Sequence, residues 1–286
     1  MPIAEDPPPV PPLRPDNLAC CDTGCIPCVF DVYEEHLDDY RDALRQWRER
    51  HAAPSQGELE VLSTLAVMGA MPRLGELFAA SGGAAPACDF APTNALLGRI
   101  LEGELADVAI LTKEAVRQMM VDGLLLAGSQ VDIAVSKVGI AVKAGAPRPD
   151  ISTMEALRAT LLAAPSICYS KIGASGVFFA ELIRRLAIDE QVDAKATIIP
   201  GGFTAEWVAN GKVQLAVQQV SELMIVPGVD IVGPLPPGAE SVSVFSGALL
   251  THSLRHDEGR QFLRFLGSEE ALPVLQSWGL EAPGGL

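Results

Sequence analysis

The sequence predicts an α/β fold with a mainly parallel sheet, and three observations carry that reading. From Leu59 onward, short β-branched runs alternate with helical stretches, the pattern of strand–helix–strand units packed on one sheet. Within residues 167–186 a buried run (Ile167, Cys168, Tyr169) passes through a Gly/Ser loop (Ser170, Lys171, Gly173, Ser175, Gly176) into a helix. On that helix Phe178, Leu182 and Leu186 recur at four-residue spacing, the mark of a buried face. The third observation is composition: 49% hydrophobic and 20% charged residues in a chain of 286, enough for one large or two modest cored domains.

Charge excludes some functions. A formal net charge of −15 leaves no basic stripe to neutralise nucleic-acid phosphates. A small anion is still compatible, because local N–H dipoles oppose the global field at short range. No run of about twenty apolar residues occurs, so no membrane span is expected. Residues 1–17, MPIAEDPPPVPPLRPDN, have neither the basic nor the apolar region of a secretory signal, which predicts a cytoplasmic protein.

In chain order, the proline-rich residues 1–17 are expected to be extended or disordered. Residues 18–50 form a Cys-rich module: CCDTGCIPC, then an acidic helix whose Phe30, Tyr33, Leu37, Tyr40, Leu44 and Trp47 make one apolar stripe. A single helix cannot bury its own stripe, so this face docks on the main domain, a protein partner or a copy of itself. Cys25 and Cys28 are spaced for one metal ion, with Cys20 or Cys21 to complete it, as zinc or an iron–sulfur cluster. The alternative is a thiol cluster that knits a small turn. Cys88 and Cys168 stand alone in apolar surroundings and read as small core residues.

Residues 51–58, HAAPSQGE, are a linker, and the main domain fills 59–286. Residues 59–65 read as a strand ending in Ser63 and Thr64, followed by a helix with Pro72 in its first turn. Cys88 and Phe90 lead through Pro92, Thr93 and Asn94 into the helix ALLGRILEG. Strands follow at 107–111 and 137–143. Ser152 with Glu155 reads as a capping box before MEALRATLLAA. After the 167–186 unit, with Ser175 as its N-cap, come a strand at 196–199, the loop Pro200, Gly201, Gly202, and a helix at 204–209. A strand at 214–218 runs into Gln219 and Ser221, a long apolar strand covers 241–250, and two amphipathic helices end near Trp278.

Several strand ends thus run into small or hydroxyl residues and a helix N-terminus: Ser63/Thr64, Thr93/Asn94, Ser175/Gly176 and Gly201/Gly202. Ligands of open α/β sheets bind at the carboxyl ends of the strands, and helix N-termini suit anions. The expected site is therefore a cleft of neutral donors for a small anion. Gln218 and Gln219, ahead of Ser221 and Glu222, read as ligand contacts in that cleft. Lys171 reads either as a solvated loop lysine or as an added cation. His252 and His256 read as surface residues, and no Ser/His/Asp arrangement, Walker loop or dinucleotide fingerprint is present.

Two resemblances refine this. The segment up to Arg50 resembles the oxidoreductase-like N-terminal domain family, through the proline-rich lead, the CC-x3-C-x2-C run and the V-F-D-V-Y helix. The family name implies no reaction. From about Leu59 to the end the chain resembles the molybdate-binding, type II periplasmic solute-binding protein family. The matching segments are VLSTLAVMGAM, DFAPTNALLGRILEGELADVAIL, SGVFFAELIRRL, GGFTAEWVANGKVQLAVQQVSEL and FLRFLGSEEALPVLQSWGL.

The second resemblance implies two α/β lobes, lobe 1 at 59–136 and 241–286 and lobe 2 at 137–240, joined by crossover strands at 137–143 and 241–250. It places oxyanion contacts near Ala66, Thr93, Ser175, Gly201 and Gln219. Ala66 replaces an expected hydroxyl and Gln219 an expected tyrosine. Those departures, with Lys171, point away from molybdate and toward a different small anion, an organic carboxylate or another oxyanion. The expected function is binding of a small anion without a cofactor in the main domain. The alternative is an isomerase of an aconitate-like acid, as in relatives of this fold, with Lys171, Ser175 or Glu222 moving a proton α to a carboxylate.

Overall fold

One strand, β4 (Val131–Lys143), runs through both halves of the molecule. The computed structural model describes residues 9–13, 15, 19, 27–51 and 58–284. The first half of β4 pairs antiparallel with β9 (Val242–Leu249), from Val131 opposite Gly247 to Lys137 opposite Val242. Its second half pairs antiparallel with β7 (Leu215–Gln219) on one side and β8 (Val229–Pro234) on the other. Lobe 1 continues from β9 to β3 (Val108–Thr112), then to β1 (Leu59–Ser63) and β2 (Pro86–Phe90), the last three mutually parallel. Lobe 2 continues from β7 to β5 (Ile167–Ser170) and β6 (Ala196–Ile199), also parallel. The strand order is β2-β1-β3-β9-β4-β7-β5-β6, with β8 on β4.

The crossover differs in detail from the sequence expectation. β4 begins six residues before 137, and β9 lies wholly in the lobe 1 sheet. The returning chain is pinned just before β9, where Val138 N–H donates to Ser241 O and Leu235 N–H to Val138 O.

Alternation along the strands fills a layer on each face. In lobe 1, Val61, Val108, Ile110 and Ile133 pack under α2 (Met71–Ala80), α10 (His256–Leu266) and α11 (Leu272–Ser277). Phe78 sits 5.1 Å from Phe262 and 5.4 Å from Phe265 there. The other face carries Leu62, Ala109 and Leu111 against α3 (Thr93–Leu101) and α4 (Lys113–Val121).

In lobe 2, Val138, Ile140, Ile167 and Val217 face α5 (Met154–Ala163), α6 (Ala174–Arg185) and α7 (Asp189–Asp193). Their neighbours Ala141, Cys168 and Ala216 face α8 (Ala205–Ala209) and α9 (Val220–Leu223). The isolated cysteines behave as core residues, and burial pushes the Cys88 and Cys168 thiols up to about 12.

Three local expectations are corrected. The buried face of α6 is Ser175, Gly176, Phe179, Leu182 and Ile183; Phe178 lies to one side under the Arg185 guanidinium, 5.9 Å from its ring. The helix also starts earlier, so Gly173 is its N-cap and Ser175 lies in its first turn. For α5 the capping side chain is Thr153, which accepts from Ala156 N–H at 3.1 Å, while Ser152 N–H turns back to Asp150.

The acidic helix with the apolar stripe is α1 (Val29–His51), with Tyr33 and Leu37 buried. Tyr40 Oη donates to Gly103 O at 3.4 Å, and its ring fills the space a side chain on Gly103 would need. Gly103 has φ +86°, so glycine is required there twice over. The Tyr40 part of this face is therefore turned to the main domain. The side chain of Leu44 lies outside the described residues, as do Cys20, Cys21 and Cys25; Cys28 sits just before α1. Among the described residues no group of three or more His, Cys, Asp or Glu is placed to hold a metal, and no helix is long and apolar enough to cross a membrane.

Candidate functional site

The carboxyl ends of five parallel strands meet between the lobes. β1 delivers Thr64 and Leu65, and β2 delivers Pro92 and Thr93. β5 delivers Ser170, then Gly173, Ala174 and Ser175 at the start of α6; β6 delivers Gly201 and Gly202. β7 delivers Gln218 and Gln219 and, one turn into α9, Glu222; Phe245 of β9 completes the lining. The space among these residues is about 420 Å³, part of it open to solvent. The lobes touch across it: Asn94 Nδ2 donates to Ile172 O at 3.0 Å, and Gly201 lies against Pro92.

Backbone donors reach the cleft because two helices begin there. Gly176 and Val177 N–H both go to Gly173 O, which leaves the N–H groups of Ala174 and Ser175 for the cleft. In α3, Ala95 and Leu96 N–H go to Pro92 O, leaving Thr93 and Asn94. The close approach of α6 to β5 depends on glycine. A Cβ on Gly176 would lie 1.8 Å from Ser170 O, and one on Gly173 would lie 2.6 Å from Ser170 Oγ.

Ser170 is the residue that sequence reasoning passes over. Its Oγ is buried and has no hydrogen-bond partner among the described residues, which leaves it available to a bound ligand. A hydroxyl closing a buried strand ahead of a glycine loop is the signal that could have found it. Gln218 lines the cleft but is fully engaged: Oε1 accepts from Thr204 N–H at 2.8 Å and Oγ1 at 2.9 Å, and Nε2 donates to Gly202 O at 3.0 Å. It holds the Gly201/Gly202 loop in place. Gln219 Nε2 donates to Ser243 Oγ at 3.0 Å, and its Oε1 is buried without a partner among the described residues. Because a hydroxyl donates or accepts, this amide can turn and present either end to a ligand.

Glu222 is 8% exposed, and burial pushes its carboxyl up to about 7, with the Gln218 amide pulling the other way. It stands on the short helix α9, packed against β4, β7, β8 and the turn Leu65–Val67 of lobe 1. Among the residues lining the cleft it is the one ionisable group, and none of them is Lys, Arg or His.

The other sequence candidates fall elsewhere. Lys171 is exposed and does not line the cleft; it lines a neighbouring groove with Tyr169, Val177, Arg184 and Ile198, and Ser170 borders both. The Lys171 N–H continues the β5–β6 pairing to Ile199 O. Ser63 is buried with Oγ on Thr64 O at 3.2 Å, and Ala66 is buried inside the turn Leu65–Val67; neither lines the cleft. Asn94 bridges the lobes at the rim. His252 and His256 do not line it either.

Chemically, the cleft offers hydroxyl and N–H donors for carboxylate oxygens, and one carboxyl able to hold or release a proton near neutral pH.

Residues 59–281 match the family described as bacterial extracellular solute-binding protein, and residues 5–49 match the oxidoreductase-like protein N-terminal family. An aconitate isomerase from Pseudomonas sp is 35% identical over 237 residues, covering 80% of this chain and 90% of that one. A mitochondrial UPF0651 protein from Schizosaccharomyces pombe is 41% identical over 46 residues, 15% of this chain and 32% of its own length. The periplasmic molybdate-binding protein of Azotobacter vinelandii has the same fold, with a TM-score of 0.67 at 16% identity over 79% of this chain and 100% of that one. On a two-lobe α/β fold that resembles type II periplasmic binding proteins, and behind an oxidoreductase-like N-terminal segment, the chain belongs to the bacterial extracellular solute-binding protein family.

Proposed function

We propose that the cleft binds and isomerises an aconitate-type tricarboxylic acid, with Glu222 moving the proton. The observation that carries this reading is Glu222 itself, buried among neutral donors and held near 7. The 35% identity to an aconitate isomerase over most of both chains supports it. Loops of hydroxyl, glycine and amide residues by themselves favour a binder; the buried carboxyl among them tips the balance to an enzyme.

An aconitate-type acid has a carboxylate-bearing methylene next to a carbon–carbon double bond. Removing a proton from that methylene spreads the electron pair over the allylic carbons and the adjoining carboxylate. Returning the proton to the other end of the allylic unit shifts the double bond. One carboxyl that takes and returns the proton suffices, and it acts best with a pKa close to the working pH. Charge that develops on carboxylate oxygen is met by donors already in place, at Thr93, Ser170, Ser175 and the first N–H groups of α6. Leu65, Pro92, Ala174 and Phe245 are the apolar part of the lining and limit water in the cleft.

To test this, cis- and trans-aconitate are incubated separately with the full chain and separated chromatographically. The wild type should interconvert them, and Glu222→Gln should bind them without turnover. Binding without any consumption by the wild type would return the cleft to a non-catalytic role. For the N-terminal segment, the C-x2-C spacing of Cys25 and Cys28 supports a metal or redox role for Cys20, Cys21, Cys25 and Cys28, which metal analysis of purified protein tests.

A further inference from the structure

The geometry points to a cleft that takes its tricarboxylate together with one proton, shared between Glu222 and the nearest carboxylate of the ligand. This rests on the reading that the cleft accepts such acids, but not on turnover.

Among the described residues the lining contains no cation, so only neutral donors face a second negative charge beside Glu222. Charged groups on the elements around α9 are engaged elsewhere or exposed. On β4, Asp132 is paired with Lys113 and bonded to Ser246, Lys137 pairs with Glu281 of the C-terminal segment, and Lys143 is exposed. On β8, Asp230 accepts from Gly145 N–H. β7 and the turn Leu65–Val67 carry no charged residue. Two carboxylates enclosed together without a counter-charge do not both stay ionised; one is held as the acid. The proton between them then forms a charge-assisted hydrogen bond, which two ionised carboxylates without it would lack.

In the empty cleft burial holds Glu222 at about 7, so at pH 8 about a tenth of the molecules already carry this proton. Binding should therefore take up about 0.9 proton per site at pH 8 and about 0.1 at pH 6, and affinity should fall about tenfold for each pH unit above 7. Carboxylic acids free in solution are ionised at pH 8, so the uptake reports the site.

The experiment is calorimetric titration of the full chain with tricarballylate, the saturated tricarboxylate that has no double bond to move. It is run at pH 6 and 8 in pairs of buffers with different ionisation heats. The expected result is a buffer-dependent heat at pH 8 that nearly vanishes at pH 6. Glu222→Gln should bind at pH 8 about tenfold more tightly than the wild type, with no proton uptake. Tight binding by the wild type at pH 8 with no uptake overturns the inference whatever the variant does, and so does undiminished uptake in a folded variant. Failure to bind tricarballylate, citrate or aconitate at either pH overturns the functional reading, and this inference with it.

Discussion

Replacing Glu222 by glutamine should stabilise the ligand-free protein, and only at the alkaline end. The Glu222 carboxyl is moved by burial from an ordinary 4.5 to about 7. The native state therefore binds a proton that the unfolded chain releases between those values. Stability from this group is complete below 4.5 and is lost as pH rises through 7. The loss amounts to about 3 kcal/mol by pH 8, against about 1 kcal/mol at pH 5. Glutamine has the size of the protonated acid and no charge to bury, so the variant should escape it. In a chain of this length the difference corresponds to a melting midpoint roughly 6–10 °C higher at pH 8. The assay is thermal unfolding of both proteins, without ligand, at pH 5 and pH 8. Equal midpoints at pH 8, or a variant less stable there, would show that Glu222 is solvated or paired and would remove the basis for its role.

Other substitutions separate the parts of the cleft. Ser170→Ala removes a buried hydroxyl without a partner among the described residues, so the ligand-free protein should gain about 1 kcal/mol while tricarboxylate binding weakens about tenfold; unfolding and titration on one sample check both signs. Gly176→Ala places a methyl 1.8 Å from Ser170 O and should cost about 3 kcal/mol or more in denaturant unfolding. Gly98→Ala, with open space around it in α3, should stabilise by about 0.5–1 kcal/mol. Thr93→Val should weaken binding about ten- to a hundredfold. Lys171→Met, outside the cleft, should change it by less than about twofold, and a larger loss by calorimetry would move the ligand toward the Lys171 groove.

The architecture was legible because β-branched runs and helical periods alternate from Leu59 on. What stayed hidden is instructive. The segment VDIVGP gives no clear strand signal, yet β8 forms because the second half of β4 has an open edge beside it. Phe178 carries the four-residue spacing of a buried face, but Phe179 takes the core position because Gly176 presses the other side of α6 onto β5.

At the site, Thr93, Ser175, Gly201, Gly202 and Gln219 line the cleft because they stand where strands run into helices or loops, which order along the chain reveals. Lys171 could not be placed the same way: it follows Ser170 directly in sequence, yet it lines the neighbouring groove and not the cleft. Nor does sequence report how water is excluded, so the displaced titration of Glu222 became visible only with its surroundings. The apolar stripe of α1 was readable, whereas its docking against Gly103 needed the fold.

The central claim, that Glu222 moves a proton on a bound aconitate-type acid, is tested most directly by proton NMR of trans-aconitate in heavy water with the full chain. The account predicts that cis-aconitate grows in, that deuterium enters the allylic carbons on the same timescale, and that Glu222→Gln abolishes both while still binding. Unchanged trans-aconitate with every carbon-bound proton retained, at concentrations where calorimetry shows the cleft filled, would contradict it.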